Sequence, residues 1–284
     1  MKIFYRPEMS ADSGGYSPSA RKPDLVVADW KSKFSDLLEI VSDFDPVTVD
    51  DIKLVHDPKF VDRIMSLEEL NGHGNALPEV RDTLLWTSGS LYAGCVEALT
   101  EGVTCSPTSG FHHAHYSDCH GFCTFNGLMV AAAKLIEEQR VGRVAIVDFD
   151  AHWGDGCVDI LKRKSRYRDS VEYIHASDLP DDPEEFVDAI PPALDSFCGE
   201  PDLVIYQAGA DMHENDPLNW GCKLSGEKLA ERDYEVFNWC ARKAIPICWN
   251  FAGGYQKDDD GSISKVLDIH YETFFAARDA FDRF

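Results

Sequence analysis

The sequence predicts an α/β fold in which a mostly parallel central sheet is covered by helices on both faces. Short strand-like segments alternate with longer segments of helical periodicity along the chain, which is typical of parallel strands joined by crossover helices. The run Val144–Val147 is long enough for one strand and too short for a helix. Because this run is apolar on both faces, it suits a strand buried inside a parallel sheet. No repeat or long linker divides the 284 residues, so we expect a single domain over residues 1–284.

The individual elements follow from periodicity and from local stop signals. Lys59–Leu70 has helical spacing and ends at a segment rich in glycine and asparagine. Pro78 opens the next helix, since a proline in the first turn loses no hydrogen bond. The predicted strands are Lys2–Tyr5, Val103–Pro107, the strand that begins at Val144, Val171–Ile174, Leu203–Gly209 and Ile245–Phe251. The predicted helices are Asp24 to about Ser42, Lys59–Leu70, Pro78–Ala98, Gly127–Gln139, Glu184–Ala189, Ser225–Arg242 and Ser264–Phe281.

Composition narrows the class of function. The chain has 27 basic and 50 acidic residues, a formal charge of −23, which repels phosphate backbones and argues against direct nucleic-acid binding. No apolar run approaches the length of a membrane span, and Met1–Tyr5 lacks the apolar core of a signal peptide. Nine cysteines without a Cys-x-x-Cys pair suit a reducing compartment. We therefore expect a cytoplasmic protein without a membrane or nucleic-acid partner, of undetermined oligomeric state.

Ionisable side chains follow several of the predicted strands. The central strand ends in Asp148 and Asp150, which a buried strand tolerates only when they are paired or coordinate a metal. Asp150 and His152 are two residues apart, so both point to the same side of an extended segment. The other strand ends lead to His112 and His113, to Asp211, and to Tyr255. Each has a plain structural explanation as a cap, a turn or a packed ring. In a parallel sheet, however, these ends lie at one edge and can converge.

Asp150, His152 and Asp211 are the candidate metal ligands. They offer one nitrogen and two oxygen donors, which leaves room for water and substrate, as in catalytic rather than structural sites. This donor set admits zinc, and also iron(II), cobalt or manganese. A metal held in this way lowers the pKa of a water molecule and polarises a carbonyl oxygen.

The remaining polar residues near the strand ends suit amide hydrolysis. His113 or His112 can take a proton from water and pass it to a leaving amine. Tyr255 offers an O–H to the oxygen on which charge develops. Asp148 and Asp155 are placed to hold the histidine N–H groups and set their basicity. The sequence thus predicts metal-assisted hydrolysis of an amide.

The same residues resemble a known family. The resemblance extends through motifs in a fixed order: His112-His113-Ala114, Gly121-Phe122-Cys123, Asp148-Phe-Asp150-Ala-His152, Gly209-Ala-Asp211, Asp216-Pro217-Leu218 and Gly253-Gly254-Tyr255. Together they are similar to the zinc-dependent histone deacetylase superfamily, which also contains acetylpolyamine amidohydrolases and bacterial deacetylases. The segment Arg232–Phe237 and the Gly-Gly-Tyr-Gln motif look closest to the class IV branch.

The resemblance implies the arginase/deacetylase fold and a hydrolase that removes acetyl or related acyl groups from lysine-like or polyamine amines. It implies Zn²⁺ as the metal, with Fe²⁺ or Co²⁺ as alternatives, on Asp150, His152 and Asp211. A structural K⁺ would take the Asp148 carboxylate and main-chain oxygens near Asp150 and His152. The implied roles of the other residues are these: His113 is general base and acid, His112 is its electrostatic partner, Tyr255 is the oxyanion donor, Asp148 pairs with His112, Asp155 pairs with His113, and Gly121, Phe122 and Leu218 line the acyl-lysine channel.

Two segments depart from the family pattern. Ala20–Pro23 stands where members carry His-Pro-Glu-Arg. The segment after Tyr173–Ser177 lacks the second channel aromatic of the family, and Leu179-Pro180 is the nearest substitute.

Two other functions remain as alternatives. An arginase-like ureohydrolase would use two manganese ions and would need carboxylates where this chain has Gly154 and His213. A non-catalytic acyl-lysine-binding protein would be expected to have lost a ligand, a histidine or the tyrosine, and none is missing.

Three further residues near the motifs have no predicted role in the chemistry. Trp153 stands where many members carry a second histidine that is not a ligand. His115 and His120 are assigned to packing.

Overall fold

A seven-stranded sheet lies at the centre of the computed structural model, which describes residues 1–283. The strands are β1 (Lys2–Phe4), β2 (Glu39–Val41), β3 (Val103–Cys105), β4 (Val144–Phe149), β5 (Val171–His175), β6 (Leu203–Ala208) and β7 (Ile247–Asn250). Neighbouring strands are parallel throughout, in the order β2-β1-β3-β7-β6-β4-β5. The predicted parallel sheet is therefore confirmed.

Helices cover both faces of the sheet, as predicted. Within residues 1–283 the α-helices are α1 (Lys22–Phe34), α2 (Val49–Lys53), α3 (Pro58–Met65), α4 (Pro78–Glu101), α5 (Gly127–Glu137), α6 (Asp155–Arg163), α7 (Pro183–Asp195), α8 (Gly226–Lys243) and α9 (Ser264–Phe281). Helices α1, α7, α8 and α9 pack on one face, and α2 to α6 pack on the other. None of the helices described is long and apolar enough to cross a membrane.

The central strand β4 shows how the sheet divides the core into two layers. Val147 and Phe149 join the apolar cluster under α1, α7, α8 and α9, whereas Val144 and Ile146 join the cluster under the other helices. All six residues of β4 are buried. Side chains alternate between the two faces of a strand, so a strand covered on both faces must be apolar at every position before its functional end.

The structure differs from the sequence prediction at several elements: helix α2 was not predicted, and α3 ends at Met65 instead of Leu70. The first helix ends at Phe34, and Glu39–Val41 forms an edge strand that pairs with β1. Helix α6 begins directly at Asp155, where no helix was predicted. Helix α7 continues through Pro191 to Asp195, because its buried apolar face extends past the prolines that normally end a helix.

The sheet order brings the strands that carry candidate residues next to one another. β3, β7, β6 and β4 are consecutive neighbours in the sheet, and all four point the same way. Their carboxyl ends therefore open onto one edge, which is where parallel α/β sheets bind ligands.

His56 anchors the long loop that follows β3. Its ring is fully buried, and Nδ1 donates to the carbonyl of His115 at 2.8 Å. The backbone N–H of Asn126 donates to Nε2 at 2.9 Å. Because both ring nitrogens have partners that suit the neutral ring, the loop is fastened at two points by an imidazole that cannot be protonated without losing a bond. Burial lowers the pKa of His56 to about 4.

We predict that this histidine makes the fold sensitive to acid. Its pKa falls from an ordinary 6.5 to about 4 in the folded chain, so the unfolded chain binds a proton that the folded chain excludes between these values. The stability from His56 is complete above pH 6.5 and declines as the pH falls toward 4, by roughly 3 kcal/mol in total. Urea unfolding at pH 7 and pH 5 should show a smaller loss for His56→Gln than for the wild type. An equal loss in both proteins would contradict the assignment.

Candidate active site

The three candidate metal ligands meet at the ends of β4 and β6. Asp150 follows β4 directly, and Asp211 lies in the turn after β6. Nδ1 of His152 is 3.0 Å from Oδ1 of Asp150 and 3.0 Å from Oδ2 of Asp211. One ligand atom from each residue lies within 4.8 Å of the other two. The structure thus brings together the group that the sequence predicts.

The buried negative charges of these residues would be stabilised by a bound cation. The side chains of Asp150 and Asp211 are almost fully buried. Burial and the charge of Asp150 raise the pKa of Asp211 to about 7. Burial opposes a charge on His152, but hydrogen bonds to the two carboxylates raise the pKa of its imidazole to about 11. Two acids and one imidazole with an open side are the donor set of a catalytic zinc site, so the residues present fit this metal.

The tandem histidines in the loop after β3 each contact a carboxylate. Nδ1 of His112 is 2.9 Å from Oδ2 of Asp148, and Nδ1 of His113 is 2.7 Å from Oδ1 of Asp155. Burial opposes protonation of His112, but the charges of Asp148 and Asp150 outweigh it and raise its pKa to about 9. Burial lowers the pKa of His113, although Asp155 opposes the shift. The two neighbouring rings therefore differ in charge near neutral pH.

Tyr255 lies beside the metal ligands. Its ring centroid is 6.2 Å from that of His152 and 5.8 Å from that of Phe122. Burial raises the pKa of the phenol well above its usual range, so the side chain keeps its proton. In the same loop, Gly253 packs against the ligands themselves: a Cβ at that position would be 2.0 Å from Oδ2 of Asp211. The strand end thus delivers a hydrogen-bond donor to the edge of the site.

Gly121 and Leu218 lie in different loops, and each connects to a candidate site residue. Gly121 has φ 57°, and a Cβ there would be 2.5 Å from Cδ2 of His113, so only glycine permits this packing. Leu218 is half-buried, and its N–H donates to Oδ1 of Asp216 at 2.9 Å. Oδ2 of Asp216 accepts the N–H of Tyr255 at 2.7 Å. Asp216, for which no role was predicted, therefore joins the Leu218 turn to the tyrosine loop.

Lys22 is a buried cation next to the site. Its Nζ donates to the carbonyls of Ala252 at 2.7 Å and Gly253 at 2.9 Å. Burial lowers its pKa to about 8, although nearby charges such as that of Asp211 oppose the shift. The sequence signal for this residue is the segment Ala20–Pro23, which departs from the family pattern. The loop that carries the candidate tyrosine is thus held from α1 by a charged donor.

The oxygens expected to hold potassium already have protein donors. Tyr173 donates its O–H to Oδ2 of Asp148 at 2.6 Å, and Gln207 donates Nε2–H to Oδ1 at 2.9 Å. The carbonyl of His152 accepts from Nε2 of His175 at 2.8 Å. Each of these oxygens keeps a second lone pair, so the K⁺ site stays a prediction.

Comparison with known sequences identifies relatives among deacetylases. The family model described as Histone deacetylase domain matches residues 20–177 and 182–270. An uncharacterized protein of Picosynechococcus sp. is 26% identical over 254 residues, 81% of this chain and 82% of that protein. A probable deacetylase of Methanothermobacter thermautotrophicus is 26% identical over 263 residues, 74% of this chain and 72% of that protein. Histone deacetylase 2 of Arabidopsis thaliana is 30% identical over 180 residues, 56% of this chain but only 46% of the plant protein.

Solved structures with the same fold cover nearly the whole chain. The HDA15 HD domain superposes with a TM-score of 0.73 at 17% identity, covering 99% of this chain and 96% of that one. Acetylpolyamine aminohydrolase from Burkholderia pseudomallei gives a TM-score of 0.73 at 16% identity, with 99% of both chains covered. These similarities establish the fold. With the family match over most of its length, the chain belongs to the histone deacetylase domain family.

Proposed function

We propose that this chain is a metal-dependent amidohydrolase that removes acetyl or related acyl groups from lysine-like or polyamine amines. The observation that carries the proposal is the convergence of Asp150, His152 and Asp211 beside a buried, protonated phenol. Membership of a deacetylase family supports the same reaction. The proposal treats residues 1–284 as one catalytic domain.

His113 is the proposed general base and acid. Zn²⁺ on the three ligands, or Fe²⁺ or Co²⁺, would supply a Lewis acid that polarises the acyl carbonyl and acidifies a water molecule. Nδ1 of His113 faces Asp155 and carries the ring proton, so Nε2 is free to accept a proton from the attacking water. The lowered pKa of His113 keeps the ring neutral for this step. The same proton then passes from Nε2 to the leaving amine.

His112 and Tyr255 are proposed to stabilise charge. The raised pKa of His112 keeps a positive ring beside the ligands, with Asp148 as its buried partner. Tyr255 keeps its O–H and donates it to the carbonyl oxygen as negative charge develops there. Gly121, Phe122 and Leu218 are proposed to line the channel for the acylated amine, with the Phe122 and Tyr255 rings 5.8 Å apart.

The proposed substrates are acylated lysine side chains or acylated polyamines. Both carry or release a cationic amine, which the formal charge of −23 attracts. The same charge disfavours direct nucleic-acid binding. The described cysteines are all free, in agreement with a proposed cytoplasmic location.

A two-metal arginase-like reaction has less support. It would need a carboxylate at position 154, but a Cβ on Gly154 would lie 1.9 Å from the Tyr173 hydroxyl. At the other required position, Nδ1 of His213 accepts the N–H of Asn215 at 3.1 Å. A non-catalytic acyl-lysine-binding role leaves the intact set of ligands, histidines and tyrosine without a purpose.

We predict that Asp211→Asn loses metal and activity together. The amide lacks the charge that holds a divalent cation, so affinity should fall by more than the roughly 10–100-fold typical of a change outside the ligand set. Metal content after dialysis, measured by elemental analysis, gives the readout. Asp216→Asn is the matched control, since this buried acid contacts backbone N–H groups and should leave metal content unchanged. Full metal retention in Asp211→Asn would contradict the ligand assignment.

Tyr255→Phe should lower kcat by roughly 100- to 1,000-fold on an acetyl-lysine peptide, because one donor to the developing oxyanion is removed. Metal content should stay at the wild-type level, which separates the oxyanion role from metal binding. Tyr16→Phe is the control: its hydroxyl donates to the carbonyl of Tyr255 at 3.5 Å, and its loss should have little effect. Wild-type turnover in Tyr255→Phe would remove the phenol from the mechanism.

Lys22→Met should lower kcat by roughly 10-fold or more, because two buried carbonyls of the tyrosine loop lose their donor. Lys22→Arg, which keeps a charged donor, should recover most of that loss. Steady-state kinetics and urea unfolding of both variants provide the measurement. If Lys22→Arg remained as slow as Lys22→Met while equally stable, the positioning role would be wrong.

A further inference from the structure

A second group of metal-binding side chains lies next to the proposed general base. His113, His120 and Asp155 each offer a ligand atom, and these atoms lie within 4.8 Å of one another. Asp155 begins α6, whereas the two histidines come from the loop after β3. None of the three belongs to the group formed by Asp150, His152 and Asp211.

The spacing of the donor atoms suits a tetrahedral ion. Nε2 of His120 is 3.3 Å from Oδ2 of Asp155. In a tetrahedral site with metal–ligand bonds of about 2.1 Å, neighbouring ligand atoms lie about 3.4 Å apart. Nδ1 of His113 and Oδ1 of Asp155 are closer, at 2.7 Å, because they share a hydrogen bond that an ion would replace.

A further nitrogen without a hydrogen-bond partner lies beside this cluster. Nε2 of His115 is buried and has no hydrogen-bond partner, although it is 3.3 Å from Oδ2 of Asp155. A buried polar atom without a partner carries a cost that a bound ion would remove. His115 and His120 each place Nε2 at 3.3 Å from the same oxygen, Oδ2 of Asp155. Asp159, 3.8 Å from the other nitrogen of His115, can orient that ring.

The cluster is more open to solvent than the two carboxylate ligands of the active site. About half of the His120 side chain and a third of that of Asp155 are exposed. An ion can therefore enter and leave without passing through the proposed substrate channel. The acidic surface of the chain raises the local concentration of divalent cations. These properties suit a reversible, weaker site.

We propose that His113, His120 and Asp155 bind a second Zn²⁺ or similar transition-metal ion that inhibits the enzyme. The proposal that an ion binds rests on the positions of the donor atoms, whereas the proposed inhibition rests on the proposed function of His113. Nitrogen and carboxylate donors together select ions such as Zn²⁺, Ni²⁺ or Cu²⁺ over Mg²⁺.

The inhibition follows from the tautomer of one ring. Without the second ion, Nδ1 of His113 carries the proton and donates it to Asp155, which leaves Nε2 free. An ion on Nδ1 requires that nitrogen to be deprotonated. The neutral ring then keeps its single proton on Nε2, which becomes a donor and can no longer accept a proton from water. No net proton is gained or lost, yet the base is removed.

The test uses the whole chain and Zn²⁺ itself as the probe. Protein loaded with one equivalent of Zn²⁺ is dialysed against rising Zn²⁺, and bound metal is measured by elemental analysis without substrate. The wild type should reach two ions per chain, whereas His120→Ala should stop at one. Asp211→Asn should also stop at one, because it keeps only the second site. A wild type that never exceeds one ion, or a His120→Ala protein that reaches two, would overturn the site.

Two controls exclude other metal donors. Cys119 neighbours His120, but its thiol faces the carbonyl of Leu70 at 3.4 Å, so Cys119→Ser should still bind two ions. His213→Ala removes a histidine outside the cluster and should also bind two. A loss of the second ion in either control would move the site elsewhere and contradict the ligand set.

Activity on an acetyl-lysine peptide then tests the consequence. The second equivalent of Zn²⁺ should lower wild-type turnover by more than tenfold, and His120→Ala should resist this loss while matching the wild type at one equivalent. Two bound ions with unchanged turnover would overturn the inhibitory role. If no variant hydrolyses any acylated amine at one equivalent, the proposed function fails, and the metal count still decides whether the site exists.

Discussion

The site depends on two buried carboxylates, Asp150 and Asp211, held next to each other. Such charges repel, and burial removes the water that would otherwise screen them. The fold offsets part of this cost with backbone donors: the N–H of Gly253 bonds Asp150 at 2.8 Å, and that of Ala151 bonds Asp211 at 3.1 Å. His152 lies between the two acids. A divalent cation would complete the compensation, which is why the metal assignment and the geometry support each other.

Buried cations fix the strand ends that carry these acids. Nη1 of Arg232, on α8, donates to the carbonyl of Phe149 at 3.0 Å and to that of Gly209 at 2.8 Å. These carbonyls lie at the ends of β4 and β6, just before the two acids. Arg232 is itself paired with Asp233 at 2.7 Å. A buried ion pair is weak evidence for net stability. The contribution of Arg232 here is to hold the ends of β4 and β6 in position. Lys22 plays the corresponding part for the loop after β7.

The predictable part of the structure is the part set by periodicity and parallel topology. The alternation of segments was enough to predict the sheet, and parallel strands necessarily bring the ends before Asp150 and Asp211 to one edge. The edge strand Glu39–Val41 escaped prediction because its three residues form a strand only through pairing with β1. Helix α6 escaped because it starts at Asp155 without a separating turn, inside a motif whose acids and glycines resemble a loop. Lys22 and Asp216 act through contacts between distant loops, which spacing along the chain does not record.

The second histidine cluster shows why site residues in loops need coordinates. In sequence, His115 and His120 look like packing residues, because nothing in their spacing relates them to Asp155. The loop brings them together through its own constraints: His56 fastens the carbonyl of His115, and the N–H of Cys123 bonds the carbonyl of His120 at 2.9 Å. Asp155 then faces several imidazoles instead of one. A carboxylate that orients a general base through Nδ1 controls which nitrogen of that base is free. An ion that binds this carboxylate and Nδ1 of the base therefore also changes which nitrogen of the base can accept a proton.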